Sequence, residues 1–303
     1  MRLGVLDVGS NTVHLQIMDA YIGAPPIAQS SFKVELKLTE YIDASGEITQ
    51  EGLDHLIEAL IKIFKQAKNL NLDETLAFAT SAIREARNSD LVIKTVHEMT
   101  GIQLEILSGN DEAKFTFLAV RRWLGWSVGE LLVMDIGGGS LEIARGDQEI
   151  PNQTISLQLG AGRITRNFLT GGPYSEKSLT KLENYIKAEL SFKSDIFEEF
   201  TKKYAIGTSK TFRTLKRIQN HYLPELGDHL ELSGLKLMVP KLQKMTITER
   251  ANLPGVSSGR AAQIVAGSMV ALEIMKTARV EYIQTCPWAL REGIVLHRLD
   301  WIN

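Results

Sequence analysis

One short pattern occurs twice in this chain: an apolar β-rich run, an acid, one more apolar residue, then glycine and a small polar turn leading into a second β-rich run. The first copy is Leu6-Asp7-Val8-Gly9-Ser10, between the runs Leu3 to Val8 and Val13 to Ala20. The second is Met134-Asp135-Ile136-Gly137-Gly138, between Leu131 to Ile136 and Leu141 to Arg145. Strand, glycine turn and strand read as a hairpin, and two matched hairpins with an acid at the same place read as an internal duplication. A chain of 303 residues, 44% hydrophobic and 23% charged, has material for about two such lobes, each with its own core. The repeat sets the expected lobes at 1–124 and 125–303, with the final helix packing back on the first.

Both halves alternate strands with helices, so the expected class is α/β. Leu53, Leu56, Ile57, Leu60, Ile61 and Phe64 recur at helical spacing between Thr49 and Asn69, with Thr49 as cap. Leu76 to Thr80 and Ile102 to Leu107 read as strands around a helix over Ser89 to Thr100 that Gly101 ends. Ser108 to Leu124 reads as a helix opened by a capping box, Ser108-Gly109-Asn110-Asp111. Further on come a strand near Thr154 to Leu159, a helix from Ser175, a strand near Tyr204 to Ile206 and a helix from Ser209. One long helix over Ser258 to Ala278, a strand over Val280 to Thr285 and a last helix after Pro287 complete the pattern.

The glycine turns are the first candidates for chemistry, because backbone N–H groups without Cβ interference can converge on an anion. Ser10, Asn11, Thr12 and Ser140 could add hydrogen bonds, and Asp7 and Asp135 suit Mg²⁺, facing each other through water across a cleft. On its own a glycine turn reads as the closure of a hairpin; two with matched acids favour phosphate binding. No Walker loop or dinucleotide fingerprint is present, since strands rather than helices follow both turns. Asp111 has a capping role, which leaves its neighbour Glu112 as a candidate general base for water, against the plainer reading of both acids as partners of the helix dipole. Glu142 alternates with apolar Leu141 and Ile143, either near a metal or simply exposed. Gly207-Thr208-Ser209 leads into a helix with Lys210, Arg213 and Arg217 on one face, which suits an anion or an ordinary solvated surface. Arg84 and Arg163 are further isolated candidates.

The net charge of -2 gives no sign of a nucleic-acid partner, so attraction for phosphate has to be local. Cys286 is the single cysteine and cannot form an internal disulfide. Asp7 interrupts the N-terminal apolar run before a signal-peptide core could form, and no stretch reaches membrane-span length. The expected location is the cytoplasm, with no membrane partner.

Taken together, Asp7-Val8-Gly9-Ser10-Asn11-Thr12, Ala79-Thr80-Ser81-Ala82-Ile83-Arg84, Ser108-Gly109-Asn110-Asp111-Glu112-Ala113 and Asp135-Ile136-Gly137-Gly138-Gly139-Ser140 resemble the exopolyphosphatase and guanosine pentaphosphatase family. Gly207-Thr208-Ser209-Lys210, Arg260-Ala261 with Gly267, and Trp288-Ala289-Leu290-Arg291-Glu292-Gly293 extend the resemblance over the whole chain. It implies two actin-like lobes of the sugar kinase and heat-shock ATPase superfamily, ribonuclease H-like in topology, around a central cleft. It also implies Mg²⁺ as the usual ion, with Mn²⁺ as the substitute, and Glu112 as catalytic base. Arg84, Asp135, Gly138, Ser140 and Glu142 fall where the family handles phosphate or metal. This chain ends at Asn303 without the helical extension of longer relatives, so weak processivity on long polyphosphate is expected. Ala262 stands where many relatives have an acid, and Asp111 replaces the first glutamate of the usual pair.

The leading expectation is stepwise release of orthophosphate from inorganic polyphosphate. Removal of the 5′ γ-phosphate of guanosine pentaphosphate would use the same groups. A non-hydrolytic actin-like module that binds a nucleotide or alarmone, and a small-molecule kinase, are the readings from other classes. No sequence feature fixes an oligomeric state; a homodimer would extend a basic track across two chains.

Overall fold

The protein's structure is a computed structural model that describes residues 1–169, 174–198, 200 and 204–300. Its contacts divide the chain into two units: Met1–Phe115 together with the chain from Leu290, and Thr116–Ala289. The division falls inside a helix, and Gly125, where the repeat sets the boundary, immediately follows that helix.

The first unit contains β1 (Arg2–Val8), β2 (Thr12–Asp19), β3 (Ile27–Glu35), α1 (Gln50–Ala67), β4 (Glu74–Ala79), α2 (Ser81–Arg84), α3 (Ser89–Thr100), β5 (Glu105–Ile106) and the start of α4 (Gly109–Leu124). Its sheet has the order β3-β2-β1-β4-β5, with β1 antiparallel to β2 and parallel to β4. Strand β1 is covered on both faces, which explains its nearly unbroken apolar run. Leu6 and Val8 join Leu56, Leu60 and Ile63 of α1 and Val92 and Val96 of α3. Leu3 and Val5 face the other way. The Thr49 hydroxyl accepts from the Gly52 N–H at 3.2 Å to start α1, and Gly101, at φ 71°, ends α3.

The second unit contains β6 (Leu131–Ile136), β7 (Leu141–Gly146), β8 (Gln153–Leu157), α5 (Ala161–Phe168), α6 (Glu176–Ser191), β9 (Ala205–Gly207), α7 (Lys210–Tyr222), β10 (Leu230–Glu231), α8 (Leu232–Lys244), α9 (Ile247–Ala251), α10 (Ser258–Ala261), α11 (Ile264–Thr277) and β11 (Tyr282–Thr285). Its sheet order is β10-β11-β9-β6-β7-β8. Read from β8 inward, the first five strands repeat the first sheet, antiparallel at β6–β7 and parallel at β6–β9. This is the duplicated actin-like α/β architecture. The core of this unit sets Leu132, Met134 and Ile136 against Ile164 of α5, Leu215 of α7 and Val265 and Val270 of α11.

The last element, α12 (Leu290–Asp300), belongs to the first unit. Ile294, Val295 and Leu299 pack with Leu3, Val5, Met18 and Phe78 on the sheet face away from α1. Gly293 lies flat on α4: a Cβ there would sit 1.8 Å from the Phe115 carbonyl oxygen.

Some elements differ from expectation. Strand β3 was not anticipated; it is a polar edge strand whose exposed residues, such as Gln29 and Lys33, hide its period. The strand expected over Ile102 to Leu107 narrows to β5, and that over Val280 to Thr285 narrows to β11. The long helix over Ser258 to Ala278 is instead broken into α10 and α11, where the Gln263 N–H bonds to Arg260 O, three residues back.

Candidate active site

Both glycine turns close with the same bond: the Gly9 N–H donates to Thr12 O at 3.0 Å, and the Gly137 N–H donates to Ser140 O at 2.9 Å. The acids two residues upstream therefore sit at equivalent places, Asp7 opposite His14 on β2 and Asp135 opposite Glu142 on β7.

The second turn is held from behind by α5. Gly137 O accepts from the Ala161 N–H at 3.0 Å and Gly138 O from the Arg163 N–H at 2.9 Å, while Gly139 O accepts from Arg163 Nε at 2.6 Å. In a trans peptide the N–H points opposite the carbonyl. Committing these three carbonyls to α5 thus turns the N–H groups of Gly138, Gly139 and Ser140 toward the other side, where they form a concave set of donors. The approach demands glycine: a Cβ on Gly160 would lie 2.2 Å from Gly139 C, and one on Gly162 would lie 3.0 Å from Gly138 O. Sequence reasoning missed Gly160 and Gly162. Their signal is Gly160-Ala161-Gly162-Arg163 at the start of a helix. Arg163, an isolated phosphate candidate by sequence, braces the turn.

Asp135 and Glu142 project from one face of paired strands. Thr208 Oγ1 donates to Asp135 Oδ2 at 2.5 Å, and Ser156 Oγ donates to Glu142 Oε1 at 2.9 Å. Arg260 lies close to Asp135 and to Arg213; burial lowers its pKa first, Arg213 adds to this and Asp135 opposes it. The segment from Gly207 is largely committed to the fold. Gly207 leaves room for the Phe212 ring, which a Cβ would meet at 2.6 Å, and Ser209 caps α7 by accepting the Phe212 N–H at 3.4 Å. Lys210 opens that helix, and the Thr211 hydroxyl holds Ile136 O at 2.9 Å.

In the first unit Ser10 is buried and its hydroxyl meets that of Ser81 at 3.0 Å. Asn11 O accepts from the N–H groups of Leu36 and Lys37 at 2.9 and 3.1 Å, which ties the turn to the end of β3. Two neighbouring acids on α4 have separate roles. Asp111 N–H donates to Ser108 Oγ at 3.1 Å and the Ser108 hydroxyl donates back to Asp111 Oδ2 at 2.6 Å, which holds the carboxyl below its usual range. Glu112 is instead buried and ion-paired with Arg84, whose Nη1 also donates to Leu107 O at 2.6 Å. The candidates Arg84 and Glu112 thus form one unit although 28 residues separate them.

Asp7 meets Arg291 Nη1 at 3.4 Å. Burial raises the carboxyl's pKa, opposed by Arg291 and Lys33. His14 beside it is pushed down to about 2, chiefly by burial, with the same two cations adding to the effect. Arg291 lies in the Trp288–Gly293 motif, and the sequence pattern assigns it no role.

Among the described residues no cluster of three or more His, Cys, Asp or Glu could hold a metal by itself. Mg²⁺ commonly takes one or two carboxylates and fills its remaining positions with water and substrate phosphate. The Asp135–Glu142 pair fits that demand. Among the described residues, no helix is long and apolar enough to cross a membrane.

Comparison with known proteins shows the family and the fold. A family model described as the Ppx/GppA phosphatase family matches residues 23–301. Exopolyphosphatase 1 of Mycobacterium tuberculosis is 46% identical over 99% of this chain and 89% of its own length. The crystal structure of an exopolyphosphatase from Cytophaga hutchinsonii matches with a TM-score of 0.89 at 25% identity, covering 100% of this chain and 99% of that one. The Aquifex aeolicus member of the Ppx/GppA family has the same fold, with a TM-score of 0.82 at 23% identity over 100% of this chain and 99% of its own.

Proposed function

Because this chain belongs to the Ppx/GppA phosphatase family, we propose that it hydrolyses the terminal phosphoanhydride of inorganic polyphosphate and releases orthophosphate, with Glu112 as general base. The observation that carries the base assignment is the buried Glu112–Arg84 pair. A carboxylate held by one guanidinium, itself fixed on the Leu107 carbonyl, presents a set direction to a water molecule. Asp111, consumed by the helix cap, does not compete for the role.

In this reading the N–H groups of Gly138, Gly139 and Ser140 stabilise charge on the equatorial oxygens of the terminal phosphoryl group. The turn at Gly9, Ser10, Asn11 and Thr12 and the helix start at Lys210 contribute to holding the rest of the polyanion. Water attacks phosphorus, Glu112 accepts its proton, and the shortened polyphosphate leaves. Asp135 and Glu142 would hold Mg²⁺, or Mn²⁺ in its place, which when bound neutralises phosphate charge. Arg84 orients Glu112 and screens the approach of the anion.

Guanosine pentaphosphate would engage the same groups. The 46%-identical mycobacterial relative carries the exopolyphosphatase name, which favours polyphosphate. Orthophosphate release from short and long polyphosphate and from guanosine pentaphosphate, compared by kcat/KM, tests the reading. A higher kcat/KM for guanosine pentaphosphate would overturn the substrate assignment, and release undiminished in Glu112→Gln would overturn the base.

A further inference from the structure

The two copies of the hairpin differ in what meets their acid. In the second, Asp135 faces another acid, Glu142, and receives the Thr208 hydroxyl. In the first, Asp7 faces His14, and its carboxylate meets Arg291 Nη1 at 3.4 Å. Arg291 is itself seated, because its Nε donates to Gln16 Oε1 at 2.8 Å. The same amide donates from Nε2 to Glu292 Oε1 at 3.5 Å. Gln16 lies two residues beyond His14 on β2, so it shares a face with Asp7. One amide thus engages two consecutive residues of the first turn of α12, which fixes the direction of the guanidinium.

We infer that Arg291 is a positioning residue for the hydrolysis: seated by Gln16, it holds the Asp7 carboxylate at the mouth of the first glycine turn. The inference rests on the proposed reading of this turn as part of the active site. The apolar contacts of Ile294, Val295 and Leu299 anchor α12 without help from this clamp, so its loss should leave the helix docked. Displacement of a site group by about 1 Å can cost on the order of 100-fold in rate. The clamp opposes that displacement at Asp7 from the α12 side.

The test uses the full chain with tripolyphosphate, measuring kcat, KM and Tm for Gln16→Leu, Arg291→Gln, Arg291→Lys, Asp7→Asn and the double variant Gln16→Leu/Asp7→Asn. Positioning predicts that Gln16→Leu and Arg291→Gln lower kcat by about 10- to 100-fold with little change in KM or Tm. It also predicts partial recovery in Arg291→Lys, and a double variant no slower than Asp7→Asn alone. Losses that multiply in the double variant, or that follow a fall in Tm, would reduce Arg291 to a structural tie. Full activity in Asp7→Asn would remove the turn's acid from the site altogether. That result is distinguishable from failure of the hydrolase reading, because wild type still releases orthophosphate and Glu112→Gln still does not.

Discussion

Asp111 and Glu112 are adjacent, chemically alike and physically opposite: one completes a helix cap at the surface, the other is buried against a guanidinium. Replacing Glu112 by Gln should lower kcat by about 10²- to 10⁴-fold, and losing the charge paired with Arg84 should lower Tm as well. Asp111→Ala should cost about 1 kcal/mol of stability and spare kcat; steady-state rates beside thermal melts separate the two. The sequence distinguished these acids, since a capping box is local. It did not join Glu112 to Arg84, nor Asp7 to Arg291, because no local pattern reports contacts across 28 and 284 residues. His14 carries a pH effect of definite sign. Its folded pKa of about 2 lies below the ordinary 6.5, so between these values the unfolded chain binds a proton that the folded chain does not. The stability it contributes is present above pH 6.5 and is lost as pH falls, at up to about 1.4 kcal/mol per pH unit. Urea titrations at pH 7 and pH 5 should show a smaller loss in His14→Gln than in wild type, by about 2 kcal/mol.

At the level of elements, the second glycine turn owes its shape to the helix behind it. Gly160→Ala drives a Cβ into the backbone of Gly139, which has nowhere to go while Arg163 and Ala161 hold the turn's carbonyls. A destabilisation of about 1–3 kcal/mol and a marked fall in kcat/KM should follow. Gly101→Ala is the control: at φ 71° with open space around it, it should cost about 1 kcal/mol and leave catalysis intact. The hairpins and the amphipathic helices α1, α3 and α7 were legible because their apolar spacing and caps are local. Strand β3 was not, since an edge strand needs few apolar residues, and α8 was hidden by Pro240 in its interior.

For the whole molecule, the duplication gives two sheets of one topology and two turns of one geometry, with a different charge setting for each acid. If Asp135 and Glu142 hold Mg²⁺ as proposed, activity should depend on the ion. Chelator should abolish orthophosphate release, added Mg²⁺ should restore it, and Glu142→Gln should raise the Mg²⁺ concentration for half-maximal rate. The chain returns to the first unit in α12. That helix buries Leu3 and Val5 of the opening strand and sets Arg291 beside Asp7. During synthesis, residues 7 and 291 leave the ribosome 284 positions apart. At about 5–20 residues per second this is a wait on the order of 15–60 s, in which one face of the first sheet stays open to chaperones and to neighbouring nascent chains. Some 284 further residues must therefore be made after Asp7 before the second face of β1 is covered by α12 and the acid is clamped.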